Sequence, residues 1–219
     1  MPLMLTIPLS VALLVAVTAM QPAAACEDAA PPLIHVVAEP TAVSVAADFS
    51  LSELDAMAQR SGIAHQPAPL GFYSSSVLHD VRLQPSQATT AACTDRLQIE
   101  LDIRLSDRRI EIGREVQQQR CRYTAALAHY QRKAEADRLV FADYVTTVAR
   151  VLHTTPLPQL ADTTDAGSVA ADQVRLEHWV EAVVAQHLQA LHQARLAAFQ
   201  AIDTTEEMRR LAEACTRGA

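Results

Sequence analysis

A chain of 219 residues, 50% hydrophobic and 20% charged, carries enough apolar material for a packed core, which excludes general disorder. Its formal net charge of −7 argues against non-specific nucleic-acid binding, and five glycines leave little room for phosphate-cradling turns. Aromatics at 4%, with abundant alanine, favour helices over an all-β fold.

The first segment reads "MPLMLTIPLSVALLVAVTAMQPAAAC". An apolar run from Leu3 to Val17 ends before Pro22, and Ala23-Ala24-Ala25 supplies the small residues that signal peptidase accepts. Residues 1–25 therefore read as a signal peptide lacking the usual basic start, and the mature chain is expected to begin at Cys26 in the periplasm or outside the cell. A lipid anchor on Cys26 is the alternative, although Ala23 stands where the lipoprotein box prefers Leu. No later segment is apolar over about 18 residues, so no transmembrane span is expected in the mature chain.

Residues 33–47 have strand character, with Pro40 marking an edge or bend. Ser50, followed by Glu53 in capping-box spacing, opens a short helix that stops near Gly62. Phe72 to Leu83 reads as a second strand region. In "LQIELDIRLSDRRIEIGREV", Leu97, Ile99, Leu101, Ile103 and Leu105 alternate with polar residues. Ile110 and Ile112 resume the alternation after "SDR", which predicts a β-hairpin over 97–116 with one apolar face.

Two long helices follow. Leu127, Tyr130, Ala134, Phe141, Val145, Val148 and Leu152 form one apolar stripe. Pro156, Pro158 and Gly167 break the pattern, and a second stripe runs from Leu176 through Val180, Val184, His187 and Leu191 to Ile202. Thr204 and Glu207 have capping-box spacing, so "TTEEMRRLAEAC" is a final helix or a continuation, with Met208, Leu211 and Cys215 on one face. The expected architecture is α+β: a small antiparallel sheet with a short helix, then a long antiparallel helical hairpin. The expected divisions are an α+β domain over 26–152, a linker over 153–168 and a helical segment over 169–219 packed on the domain.

Cys26, Cys93, Cys121 and Cys215 form an even set, which implies disulfides in an exported chain. Three connectivities are possible. Cys93–Cys121 with Cys26–Cys215 is preferred, because the first closes the predicted hairpin and the second ties the chain ends. Lipidation of Cys26 would leave Cys215 unpaired.

The order of these pieces resembles a bacterial family of secreted zinc-dependent proteases. The resemblance rests on Ser50 to Leu54, the strand from Gly71, Cys93, the 97–116 segment, Cys121 and the helix carrying His129. It covers residues 33–150 and implies a peptidase-like fold. Such a family carries H-E-x-x-H, with two imidazoles one turn apart on a Zn²⁺ and a glutamate activating water. Here the five positions read His129-Tyr130-Gln131-Arg132-Lys133. Tyr130 replaces the base, and Lys133 brings a positive charge to the second ligand position. The motif is therefore read as vestigial, with no catalytic residue, bound metal or cofactor expected.

His129 lies off the apolar stripe and reads as a polar residue on a second helix face; Tyr130 reads as core. His187 is centred on the second stripe, as a core histidine or a ligand, while His178 and His192 lie toward the polar side. Asp137, in mid-stripe, marks a bend or a buried hydrogen bond to Tyr130 or Arg138. The leading expectation is a non-catalytic binding or structural component of the bacterial envelope, with a protein partner on the C-terminal helices. The alternative is a metal-dependent hydrolase rebuilt around His129, with His187 or His153.

Overall fold

The alternating run after residue 96 forms one strand rather than two. In the computed structural model, which describes residues 33–60, 69–85, 97–159 and 166–213, this strand is continuous over sixteen residues. The elements run β1 (Leu33–Pro40), β2 (Ser44–Ala46), α1 (Leu51–Arg60), β3 (Gly71–Pro85), β4 (Leu97–Ile112), α2 (Arg114–Gln117), α3 (Arg120–Thr154), α4 (Ala166–Ile202) and α5 (Thr205–Glu213).

β4 is the centre of the sheet. β3 pairs antiparallel along one side of it, from Gly71↔Ile112 to Pro85↔Leu97. β1 and β2 lie end to end along its other side, both parallel to it, from Leu33↔Gln98 and from Ser44↔Arg109. The expected antiparallel sheet is thus corrected to a mixed sheet with a parallel β1–β4–β2 path. The error lay in reading 97–116 as a hairpin. "SDR" offers no pair of turn residues of the Asn-Gly type, and the jump in apolar parity from odd to even positions is absorbed by a bulge.

At that bulge Ser74 pairs with Arg109 and Ser76 with Ser106, so Asp107 and Arg108 together oppose Ser75. Asp107 has φ 51°, the left-handed region that an aspartate tolerates better than most residues. One extra residue lets both apolar sets face α3. Ile99, Leu101, Ile103 and Leu105 are buried with Phe141, Tyr144 and Val148 of α3 and Leu176, Val180 and Val184 of α4. Beyond the bulge, Ile110 and Ile112 are buried with Val116, Ala126, Tyr130 and Ala134. On the opposite face, Arg82 lies 2.9 Å from Asp80 and 3.6 Å from Glu100, and Arg104 lies 3.2 Å from Asp102, so that face is polar.

The helices follow from their local chemistry. α1 has the expected capping box: the Ser50 amide donates to Glu53 Oε2 at 2.7 Å and the Glu53 amide to Ser50 Oγ at 3.2 Å. α3 and β4 have matching lengths, roughly 52 Å at 1.5 Å per residue and roughly 50 Å at 3.3 Å per residue. α5 is separate from α4. The chain breaks at Asp203, and Thr204 Oγ1 accepts the Glu207 amide at 3.2 Å to start the new helix. Among the described residues, no helix is long and apolar enough to cross a membrane.

Candidate functional site

The bulge creates a polar layer between the two apolar clusters. β3 keeps an unbroken alternation through it, so Tyr73 and Ser75 point toward α3, where both hydroxyls donate to Asp137 Oδ2, at 2.8 and 2.6 Å. Arg195 of α4 donates from Nε to Asp137 Oδ1 at 2.6 Å and also reaches Ser75 Oγ. Arg108, turned inward by the extra residue, donates to the Thr41 carbonyl between β1 and β2 at 2.9 Å, to the Ala134 carbonyl at 2.8 Å and to Tyr73 Oη at 3.3 Å. Asp137 is fully buried and Arg108 nearly so. The charge that the sequence placed in the stripe is therefore paired, as burial requires. Its partners are Tyr73, Ser75 and Arg195 rather than Tyr130 or Arg138; Arg138 pairs with Glu135 at 2.6 Å.

About two turns toward the start of α3 lies the stretch from His129 to Lys133. His129 is 1% exposed, which corrects its expected place on a polar helix face. The reason is α5, which folds back over that face. Each ring nitrogen meets a carboxylate: Nε2 lies 3.0 Å from Asp203 Oδ1 and Nδ1 lies 3.3 Å from Glu207 Oε1. Lys133 Nζ is 2.5 Å from Asp203 Oδ2 and sits between the rings of Tyr130 and Phe199, 5.7 and 5.6 Å from their centroids. Glu207 also takes ion pairs from Arg132 and Arg210. Tyr130 is buried as expected, and its hydroxyl donates to the Gly71 carbonyl at 2.5 Å.

The electrostatics follow this geometry. Burial raises the Asp203 carboxyl, but the hydrogen bonds and charges of His129 and Lys133 outweigh it and hold the group below its usual value. Glu207 is held at about 2, chiefly by the Arg210 guanidinium, with Arg132 and His129 adding to the effect against burial. Burial pushes the Tyr130 phenol well above its usual range, and the nearby Asp203 charge adds to this.

A metal centre does not fit this arrangement. Zinc ligation needs imidazole lone pairs converging on one point. Here both His129 nitrogens face carboxylates, and an ammonium stands where the second ligand would be. Among the described residues, no group of three or more His, Cys, Asp or Glu side chains is arranged to hold a metal ion. Nor do the other candidate histidines converge. His153 is exposed and lies roughly 36 Å further along α3, at 1.5 Å per residue. His187 is half-buried on α4, roughly 24 Å along the helix axis from Asp203. His178 and His192 are exposed.

Sequence reasoning missed Arg108, Arg195, Asp203 and Glu207. Two signals for them existed: an arginine one turn from Leu191 on the α4 stripe, and the parity jump around Asp107. Glu111, also unanticipated, is fully buried on the other side of β4, where its carboxylate accepts the Asp48 and Phe49 amides and pairs with Arg109 at 2.9 Å. Cys121 is disulfide-bonded, while Cys26, Cys93, Cys215 and the predicted signal peptide lie outside the described residues. Comparison with family models, with curated proteins and with solved structures finds no match to this chain.

Proposed function

We propose that this is an exported envelope protein that acts by binding or scaffolding, and that its peptidase-like helix turn is a structural clasp. One observation carries the reading: Lys133, at the position of a second zinc ligand, instead neutralises Asp203 at 2.5 Å, so the chain supplies its own cation to the carboxylates around His129. The clasp holds the C-terminal helix against α3 and leaves no imidazole nitrogen aimed at open space. The outer side of the helical hairpin is the proposed partner surface; α3 and α4 expose Leu139, Val174 and Leu196 there, at 55%, 51% and 39%.

The test is metal analysis and peptide hydrolysis on protein purified from its native envelope, followed by cross-linking in that envelope. The expected results are zinc far below one per chain, no hydrolysis above background, and a cross-linked partner lost on Leu139→Glu. One zinc per chain, with peptidase activity that a chelator removes, would overturn the reading.

A further inference from the structure

We infer that the chain forms a two-fold dimer through the outer edge of β1, with β1 of each copy pairing antiparallel to β1 of the other and the sheet running on through both. Among the described residues, β1 has β4 on one side and no strand on the other, and its last residues, Val37 to Pro40, are exposed. Hydrogen-bonding directions fix which backbone groups lie on that free edge. The Thr41 amide, just past β1, donates to the Leu105 carbonyl at 2.9 Å, so Thr41 faces β4. Backbone groups alternate sides along a strand. His35, Val37 and Glu39 therefore also face β4, and Ile34, Val36, Ala38 and Pro40 turn theirs outward. Pro40 has no N–H to lose, and it falls on the outer side, where it leaves the ladder to β4 intact.

The side chains divide by the same period. Ile34 and Val36 pack on the core. His35, Val37 and Glu39 lie on the opposite, polar face of the sheet, beside Glu100, Asp102 and Arg104. Apart from Pro40, β1 carries none of the usual guards of a free edge: it has no lysine or arginine, and Leu33 and Val37 stand 49% and 37% exposed.

A second copy of β1 satisfies this edge, and charge selects the register. An antiparallel partner must set outward groups against outward groups, which leaves two central alignments, about Val36 or about Val37. With the axis at Val37, Val36 and Ala38 exchange both hydrogen bonds across it, and the Ile34 amide meets the Pro40 carbonyl of the other copy. On the polar face Glu39 then stands opposite His35 of the other copy. The row across the joined sheet reads Arg104 and Glu39, then His35, Glu100 and Arg82 of the other copy, basic and acidic in alternation. Val37 meets its own counterpart and covers the exposed hydrocarbon. With the axis at Val36, Glu39 would instead face Leu33, an ion opposite an apolar side chain. The edge is thus complementary to itself in charge and in hydrogen bonding, in the Val37 register.

The test is sedimentation equilibrium and cysteine cross-linking on the natively processed chain. The wild type should have twice the mass of one chain. Ala38→Pro removes an outward N–H and none that faces β4, so it should weaken association while circular dichroism stays unchanged. Glu39→Lys and His35→Glu should each weaken self-association, by about tenfold for two lost charge pairs per dimer. Mixing these two variants should restore it, because the mixed dimer sets each new charge opposite its complement. Val37→Cys should oxidise to a covalent dimer, since its two copies form a non-hydrogen-bonded pair with Cα atoms about 4.5 Å apart. His35→Cys should not, its two copies lying roughly 13 Å apart along the strands. A monomeric wild type would overturn the inference, and slow hydrogen exchange of its Val36 and Ala38 amides would assign the edge to another segment of the same chain. A dimer that forms no Val37→Cys cross-link, or whose charge variants fail to associate when mixed, would overturn it equally.

Discussion

Arg195→Met separates a buried ion pair from the packing around it. Methionine keeps most of the aliphatic length of Arg195, whose side chain is only 18% exposed, but leaves the fully buried Asp137 carboxylate without its cation. Removing one partner of a buried pair costs about 3–5 kcal/mol. Asp137 keeps its bonds from Tyr73 and Ser75 and Arg195 is partly solvated, so the low end applies, about 3 kcal/mol. For a chain of this size that corresponds to a fall in Tm of roughly 6–12 °C. Urea denaturation followed by circular dichroism measures it. Adding Asp137→Asn removes the stranded charge while its amide oxygen still accepts from the two hydroxyls, so the double variant should regain about 1–2 kcal/mol over Arg195→Met alone. A loss within about 0.5 kcal/mol for Arg195→Met, typical of a surface change, would refute the reasoning. So would purely additive losses in the double variant.

Glu207 sits well below the usual carboxylate range in the folded chain, at about 2, so it favours folding above its unfolded pKa and loses that contribution as pH falls toward 2. Urea midpoints of wild type and Glu207→Gln should therefore differ at neutral pH and converge in acid; a constant difference would contradict the assignment. His129→Ala should cost about 1–3 kcal/mol, since it empties a buried site and strips a partner from two carboxylates, and it should leave zinc content unchanged by mass spectrometry. A near-neutral variant would mean that α5 does not cover this face in solution. Gly71→Ala should destabilise by about 1–3 kcal/mol, because its Cβ would collide with the Glu111 carbonyl and come within 2.9 Å of the Tyr130 ring. Gly113→Ala should cost less, since the atoms in its way belong to the flexible Leu51 side chain. Chemical denaturation that ranks the two glycine variants in the opposite order would contradict this.

Local chemistry was well written in the sequence. The Ser50–Glu53 and Thr204–Glu207 capping spacings mark real helix starts, and Tyr130 is in the core because its position on the apolar stripe is. Long-range consequences were not. Whether a parity change means a turn or a bulge depends on the neighbouring strands: β3 runs past Asp107 on one side of β4, while on the other β1 ends opposite Leu105 and β2 resumes at Arg109. His129 looked exposed because helical periodicity describes one helix at a time. The flank beside the main stripe that carries His129 is covered by α5, some 75 residues away, and nothing within α3 announces that cover. Asp137 was visible as a charge within an apolar stripe, but its pairing with Arg195 became evident only once α3, α4 and β3 were brought together.

A helix with an apolar residue every three or four positions can dock on an apolar strand in several neighbouring alignments. α3 offers Tyr130, Ala134, Phe141, Tyr144, Val148 and Leu152 to β4, and shifting it by one turn, about 5.4 Å, would still set hydrocarbon against hydrocarbon. The polar layer removes that degeneracy. In any shifted alignment the Asp137 carboxylate would enter the Leu105 or Ile110 surroundings, and the Arg108 guanidinium would lose its acceptor on Ala134, each a penalty of several kcal/mol. Misaligned decoys are thus raised in energy far more than the native arrangement is lowered, which gives the long helix a single seat on the sheet.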